Sequence, residues 1–158
     1  MAKKIKNLQY YEAIGRRKES LARVRLYLVS GKEKTVTVKS KEAKELIKIK
    51  QGEIFVNHKP IASYFSSNAE KSQYLKPLKV TNNEDRFAVS VLIRGGGLVG
   101  QLEALVLGLS RAIEKADKDS YRPILKKEGF LTRDARTRER RKVGTGGKAR
   151  RQKQSPKR

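Results

Sequence analysis

The chain has 158 residues, with 39 Lys and Arg against 16 Asp and Glu, a formal net charge of +23, a single histidine and no cysteine. This balance points to a polyanionic partner, and it excludes both a disulfide framework and a Cys-based zinc site. No run approaches the roughly 18 apolar residues a membrane helix needs, since the best candidate, Leu102 to Leu109, contains Glu103, and no apolar run follows Met1 to Lys6 as in a secretory signal.

In chain order, Tyr10 to Ile14 is expected as a strand, and Leu21 to Val29 as another, with Val24, Leu26 and Leu28 on one face and Arg23, Arg25 and Tyr27 on the other. Ser30-Gly31 reads as a turn, Lys34 to Val38 as a β segment, and Lys41 to Ile49 as a short helix with Ser40 as its N-cap. Glu53 to Val56 is a further strand, Asn57-His58-Lys59-Pro60 a turn, and short helical pieces are expected around Ala62 to Phe65 and Ala69 to Leu75. Phe87 to Arg94, with Val89, Val91 and Ile93 on one face, runs as a strand into Gly95-Gly96-Gly97. Leu98, Leu102, Leu105, Val106, Leu109 and Ile113 then form the stripe of the main core helix, ending near Asp117. Tyr121-Arg122-Pro123 opens a short turn of helix toward Lys126 or Lys127, closed by Gly129. The alternation predicts an α/β or α+β fold, a compact sheet with packed helices. It divides the chain into a basic arm over 1–8, a globular body over 9–119 that includes a charged segment at 32–51, and an extended basic tail over 120–158.

Leu131 to Arg158 holds twelve Lys and Arg (Arg133, Arg136, Arg138, Arg140, Arg141, Lys142, Lys148, Arg150, Arg151, Lys153, Lys157 and Arg158) against Asp134 and Glu139, with no aromatic residue. Such a segment cannot bury enough surface to offset its ordering entropy, so it is expected to order only against phosphates, whose condensed counterions it displaces. Gly144, Gly146 and Gly147 argue against one continuous helix there. Without aromatics, base stacking is not the tail's main mode; affinity comes from backbone phosphates.

In the body, Gly15-Arg16-Arg17-Lys18 places three cations after a strand, and Arg23 and Arg25 repeat the charge on one face. A solvated basic edge would look the same, but the total charge favours nucleic-acid contact. Gly95-Gly96-Gly97-Leu98-Val99-Gly100 satisfies the dinucleotide pattern G-x-G-x-x-G. A dinucleotide fold needs a second parallel strand after the helix, whereas a proline turn and the basic tail follow here. The glycines fit a tight strand-to-helix turn whose backbone N–H groups approach an RNA phosphate beside Arg94. His58 has no neighbouring ligand and no triad, so neither a metal, a cofactor nor a catalytic site is expected.

Five blocks in register carry a specific resemblance: Gly15-Arg16-Arg17-Lys18 with Ala22-Arg23-Val24; Gly52 to Pro60 with Tyr64-Phe65; Gly95-Gly96-Gly97 with Gly100-Gln101; Gly129 to Arg136; and Glu139-Arg140-Arg141-Lys142 with the terminal Lys157-Arg158. The chain resembles the small-subunit ribosomal protein S-nine family in its bacterial form. The resemblance implies a left-handed βαβ crossover, a non-enzymatic, cytoplasmic role on the ribosome, and small-subunit ribosomal RNA and neighbouring head proteins as partners. It implies ribosomal RNA contacts at Arg16, Arg17, Lys18, Arg23, Arg25, Arg94, Gly95, Gly96, Gly97 and Gln101 in the body, and along the tail from Arg133, Arg136, Arg138, Arg140, Arg141 and Lys142 to Lys148, Arg150, Arg151 and Lys153. Lys157 and Arg158 would reach the anticodon stem-loop of the peptidyl-site tRNA. Three departures stand out: Lys32 to Gln51 is longer than the short turn expected in the family, with Lys39 to Lys50 resembling an inserted charged helix; His58 replaces a usual glycine; and Ser155-Pro156 replaces an aromatic-serine pair. The competing readings are a general nucleic-acid-compacting protein, which would bind duplex DNA equally well, and a nucleotide-dependent oxidoreductase, which would bind a dinucleotide stoichiometrically.

Overall fold

A computed structural model describes residues 3–5, 8–28, 35–39, 46–141 and 143. Strands β1 (Lys3–Ile5), β2 (Leu8–Arg17) and β3 (Ser20–Leu28) form an antiparallel meander. Arg17 pairs with Ser20, so Lys18 and Glu19 alone make the β2–β3 turn, and Lys18 takes a positive φ of 48°. A separate hairpin, β4 (Thr35–Lys39) and β5 (Leu46–Lys50), follows. Then come β6 (Ile54–Val56), β7 (Lys59–Pro60), α1 (Ile61–Tyr64), α2 (Asn68–Val80), β8 (Phe87–Arg94), α3 (Leu98–Ala116) and α4 (Lys118–Lys127). Asn57 and His58, the two residues between β6 and β7, both have positive φ (46° and 70°), as the tightest hairpin turns require; Asn and His enter that region more readily than most residues.

The main sheet has the order β1-β2-β3-β8-β6-β7. β8 is antiparallel to β3 and parallel to β6, and the chain passes from β6 to β8 through β7, α1 and α2. The mixed α/β class expected from the sequence is therefore what forms. Period-two alternation turns Phe87, Val89, Val91 and Ile93 of β8 and Ala22, Val24 and Leu26 of β3 toward the helices, all at most 4% exposed. Leu102, Leu105, Leu109 and Ile113 of α3 meet them, at roughly 1.5–3 kcal/mol of burial for each large side chain. Leu98, the first residue of the expected stripe, is 56% exposed, because it lies at the helix start, ahead of the packed turns.

Two expectations are corrected. The helix expected over Lys41 to Ile49 is contradicted over its last residues, since Leu46–Lys50 is strand β5 and Val36 opposes Ile49 in the hairpin; residues 40–45 lie outside the described part. The alternation Ile47-Lys48-Ile49-Lys50, with β-branched residues at every second position, is a strand pattern. Val36 and Ile49 close over Tyr10, Tyr27 and Ala88 to make a second small core on the sheet face away from the helices. Tyr27, placed outward with Arg23 and Arg25 by sequence, is consequently buried. Helix α4 delivers the fully buried Leu125, and Phe130 and Leu131 pack half-buried on the main core. Within 1–8, Lys3–Ile5 joins the sheet as β1, while the expected turn at Ser30-Gly31 lies outside the described residues.

Candidate nucleic-acid interface

Register decides which cations meet. Residues directly opposite one another on neighbouring strands share a face, so Tyr10, Tyr27 and Ala88 form one row, Glu12, Arg25 and Ser90 the next, Ile14, Arg23 and Leu92 the third, and Arg16, Leu21 and Arg94 the last. The β4–β5 hairpin covers the first row. The rows beyond it carry Arg25, Arg23, Arg16 and Arg94 among apolar neighbours, with Ile14 42% exposed and Arg16 and Arg94 exposed. Arg16 and Arg94 flank β3, about 10 Å apart by two strand spacings. Arg25 is braced within the protein: its Nε donates to Glu12 Oε2 at 2.7 Å and its guanidinium lies 5.2 Å above the Tyr10 ring. Burial works against the Arg25 charge, but the Glu12 hydrogen bond and the neighbouring Tyr27 and Glu12 raise its affinity for the proton, and burial pushes the Tyr27 phenol up.

The glycine turn joins the far end of β8 to α3. Gly95 and Gly96 have φ of +73° and +66°, and a Cβ on either would run into Glu19 or Ser20 of the β2–β3 turn region. Gly97 is the N-cap of α3, contributes no side-chain cap, and faces open space. Gln101 accepts from the Tyr64 hydroxyl at 2.8 Å and donates to the Gly95 carbonyl at 3.1 Å, so its amide is engaged in holding the turn. Asn57 reinforces the same strand by donating to the Ile93 carbonyl at 3.0 Å and accepting from the Ile93 N–H at 2.9 Å. Ser20 Oγ is buried beneath the turn without a hydrogen-bond partner. Gly15, read by sequence as part of a cationic motif, has a packing role: a Cβ there would stand against the Ala104 carbonyl and 2.5 Å from the Gly108 nitrogen of α3.

Arg17 departs from its neighbours. Opposite Ser20 on the helix face, its side chain is only 11% exposed; Nε pairs with Glu103 of α3, and Nη1 lies 2.7 Å from Asp134 Oδ1. The same Nη1 donates to the carbonyls of Asp134 (3.3 Å) and Arg136 (3.4 Å). Arg136 in turn grips Asp134, with its Nη2 2.6 Å from Oδ2 and its backbone N–H donating to Oδ1 at 3.0 Å. The Arg136 side-chain and backbone hydrogen bonds, with the charges of Arg136 and Arg17, hold the Asp134 carboxyl well below the usual carboxylate range. Sequence reasoning did not pair Arg17 with Glu103 or Asp134; the one signal was that Asp134 is one of only two acids in the basic run from Leu131.

From Thr132 to Arg141 the chain is neither helix nor strand, with Arg133, Arg138, Arg140 and Arg141 exposed. Lys142, Lys148, Arg150, Arg151, Lys153, Lys157 and Arg158 lie outside the described residues. Among the described residues no helix is long and apolar enough to cross a membrane, and no group of acidic residues and histidine could hold a metal. The glycine turn is not followed by a dinucleotide fold, because α3 leads into α4 instead of a further parallel strand.

A sheet with a half-open arginine face, a braced glycine turn and a cationic segment rooted beside them defines a basic mixed α/β protein. The family described as Ribosomal protein S9/S16 matches residues 15–158, and the chain belongs to it. It is 43% identical over 118 residues to the Small ribosomal subunit protein uS9 of Methylacidiphilum infernorum (isolate V4), which covers 75% of this chain and 82% of that protein. It is 38% identical over 141 residues to the Small ribosomal subunit protein uS9 of Rickettsia rickettsii (strain Sheila Smith), covering 89% of this chain and 75% of that one. Membership makes it a ribosomal protein, structural and not enzymatic, as the sequence led us to expect.

Proposed function

We propose that this chain is a structural constituent of the small ribosomal subunit, acting in translation on the cytoplasmic ribosome. It binds 16S-type ribosomal RNA in the subunit head, beside neighbouring ribosomal proteins, and its tail runs through that RNA toward the anticodon stem-loop of the peptidyl-site tRNA, where Lys157 and Arg158 make the contact. The observation that carries this reading is the strand register, which gathers Arg16, Arg23 and Arg94 on the open half of one sheet face with Lys18 at its rim. Guanidinium groups in that arrangement suit phosphates, and the apolar side chains between them suit the sugar edge of a folded RNA. The exposed Arg133, Arg138, Arg140 and Arg141 continue the charge along the tail.

The test is binding to a 16S head fragment as a function of salt. The triple variant Arg16→Gln/Arg23→Gln/Arg94→Gln should lower the log–log salt slope by about 2 to 3, at about 0.7–0.9 for each phosphate no longer neutralised. An unchanged slope removes the sheet face from the interface. Equal affinity for duplex DNA of matching length would favour a general compacting protein instead. Removal of Lys157 and Arg158 should leave assembly intact and weaken peptidyl-site tRNA binding; unchanged tRNA affinity refutes the terminal contact.

A further inference from the structure

We propose that Arg17 is a positioning residue that clamps the root of the tail to the body, and not an RNA-phosphate contact; this rests on the RNA-binding reading of the tail. Of the three consecutive cations, the strand pleat sends Arg16 to the open arginine face and Arg17 to the helix face. There its guanidinium is taken up internally by Glu103, the Asp134 carboxylate and two tail carbonyls. At 11% exposure the side chain is poorly placed to accept a phosphate as well.

Asp134 is the counterpart of this arrangement. Leu131 to Arg158 contains only two acids, and one of them sits between Arg17 and Arg136 at the point where the chain leaves the core. An acid costs affinity for a polyanion, so its placement needs a compensating use. Here it turns Asp134 and the backbone of residues 134–136 inward, while Arg133 on one side and Arg138 on the other remain exposed. The result is a fixed exit direction. A tethered cationic segment is most effective when its starting point already faces the RNA, because the ordering cost at the root is met before binding.

The absence of native cysteine permits site-specific labelling of the full chain. Spin labels at Lys79→Cys on α2 and Thr137→Cys beyond the clamp report the tail root in RNA-free protein. Arg17→Gln, Arg17→Lys and Asp134→Asn should each broaden the inter-label distance distribution, since lysine keeps the charge but lacks the fork that spans both acids and the carbonyls. Binding to the 16S head fragment should weaken about two- to tenfold in each variant, the range set by re-ordering a few side chains, with an unchanged salt slope. The double variant Arg17→Gln/Asp134→Asn should be no weaker than either single variant.

The opposing outcome is sharp. Asp134→Asn adds one unit of positive charge and releases Arg136, so tighter RNA binding would overturn the clamp. So would a salt slope lowered by about 0.7–0.9 in Arg17→Gln, the signature of one phosphate left unneutralised, or rescue by Arg17→Lys. If the unaltered protein shows no salt-dependent RNA binding, the functional reading fails, while the distance measurements on free protein still decide the clamp.

Discussion

Replacing Gly15 by alanine tests the packing of the body most directly. The new Cβ would stand against the Ala104 carbonyl, 3.0 Å from the Ala104 carbonyl carbon and 2.5 Å from the Gly108 nitrogen. Ordinary contacts lie near 3.5 Å, so clearing the Ala104 carbonyl oxygen, the nearest obstruction, needs α3 to lift roughly 1.5 Å from β2, and a gap of about 1 Å already forfeits up to about half of each affected dispersion well. Both obstructing groups are backbone, so no rotamer change relieves them. We expect a loss of about 3–5 kcal/mol, above the common 1–3 kcal/mol of overpacking and a large share of the 5–15 kcal/mol that stabilises a typical domain. Urea unfolding of the RNA-free protein followed by circular dichroism should show a midpoint lowered by about 2 M for a slope near 2 kcal/mol per molar. Gly129→Ala, at φ +75° with nothing within 4 Å of the added carbon, is the control; it should cost only the left-handed backbone term, about 1–2 kcal/mol. If Gly15→Ala costs no more than this control, the close approach of α3 to β2 is not the reason for the glycine.

In the glycine turn, Gly96→Ala should cost about 2–3 kcal/mol from backbone strain and collision with Ser20. Adding Ser20→Ala, which removes the Oγ that the new carbon meets, should recover about 1 kcal/mol beyond the effect of Ser20→Ala in the unaltered protein, and strict additivity in thermal unfolding would refute the contact. Ile49→Ala should leave a cavity under the β4–β5 hairpin, costing about 2–4 kcal/mol and exposing the hairpin to protease, while RNA affinity changes little; an unaltered cleavage pattern would show that Ile49 does not pin the hairpin.

The sequence was most legible where periodicity and position agreed. Phe87 to Arg94 and the stripe from Leu102 to Ile113 each point one face at the same core, and both elements form over nearly the expected residues. It was least legible where a partner far along the chain decides the outcome. Tyr27 reads as solvent-facing until Val36 and Ile49 are known to lie over it. Lys41 to Ile49 contains enough charge at helical spacing to suggest a helix, and only pairing with Thr35–Lys39 settles its last residues as a strand. Among the proposed interface residues, Arg16, Arg23 and Arg94 could be found as cations but not as neighbours, because their meeting depends on register between β2, β3 and β8. Arg17 and Gln101 looked equivalent to them in sequence, yet both are engaged inside the protein.

The β2–β3 turn shows what such a chain gives up. Lys18 holds a left-handed backbone conformation that glycine or asparagine would adopt with less strain, about 1–2 kcal/mol for an ordinary residue. A lysine at that apex makes the free protein less stable than its own backbone permits and sets an ammonium group at the rim of the arginine face. At this position the backbone alone would favour glycine or asparagine, and the lysine exchanges that relief for a positive charge on an exposed turn.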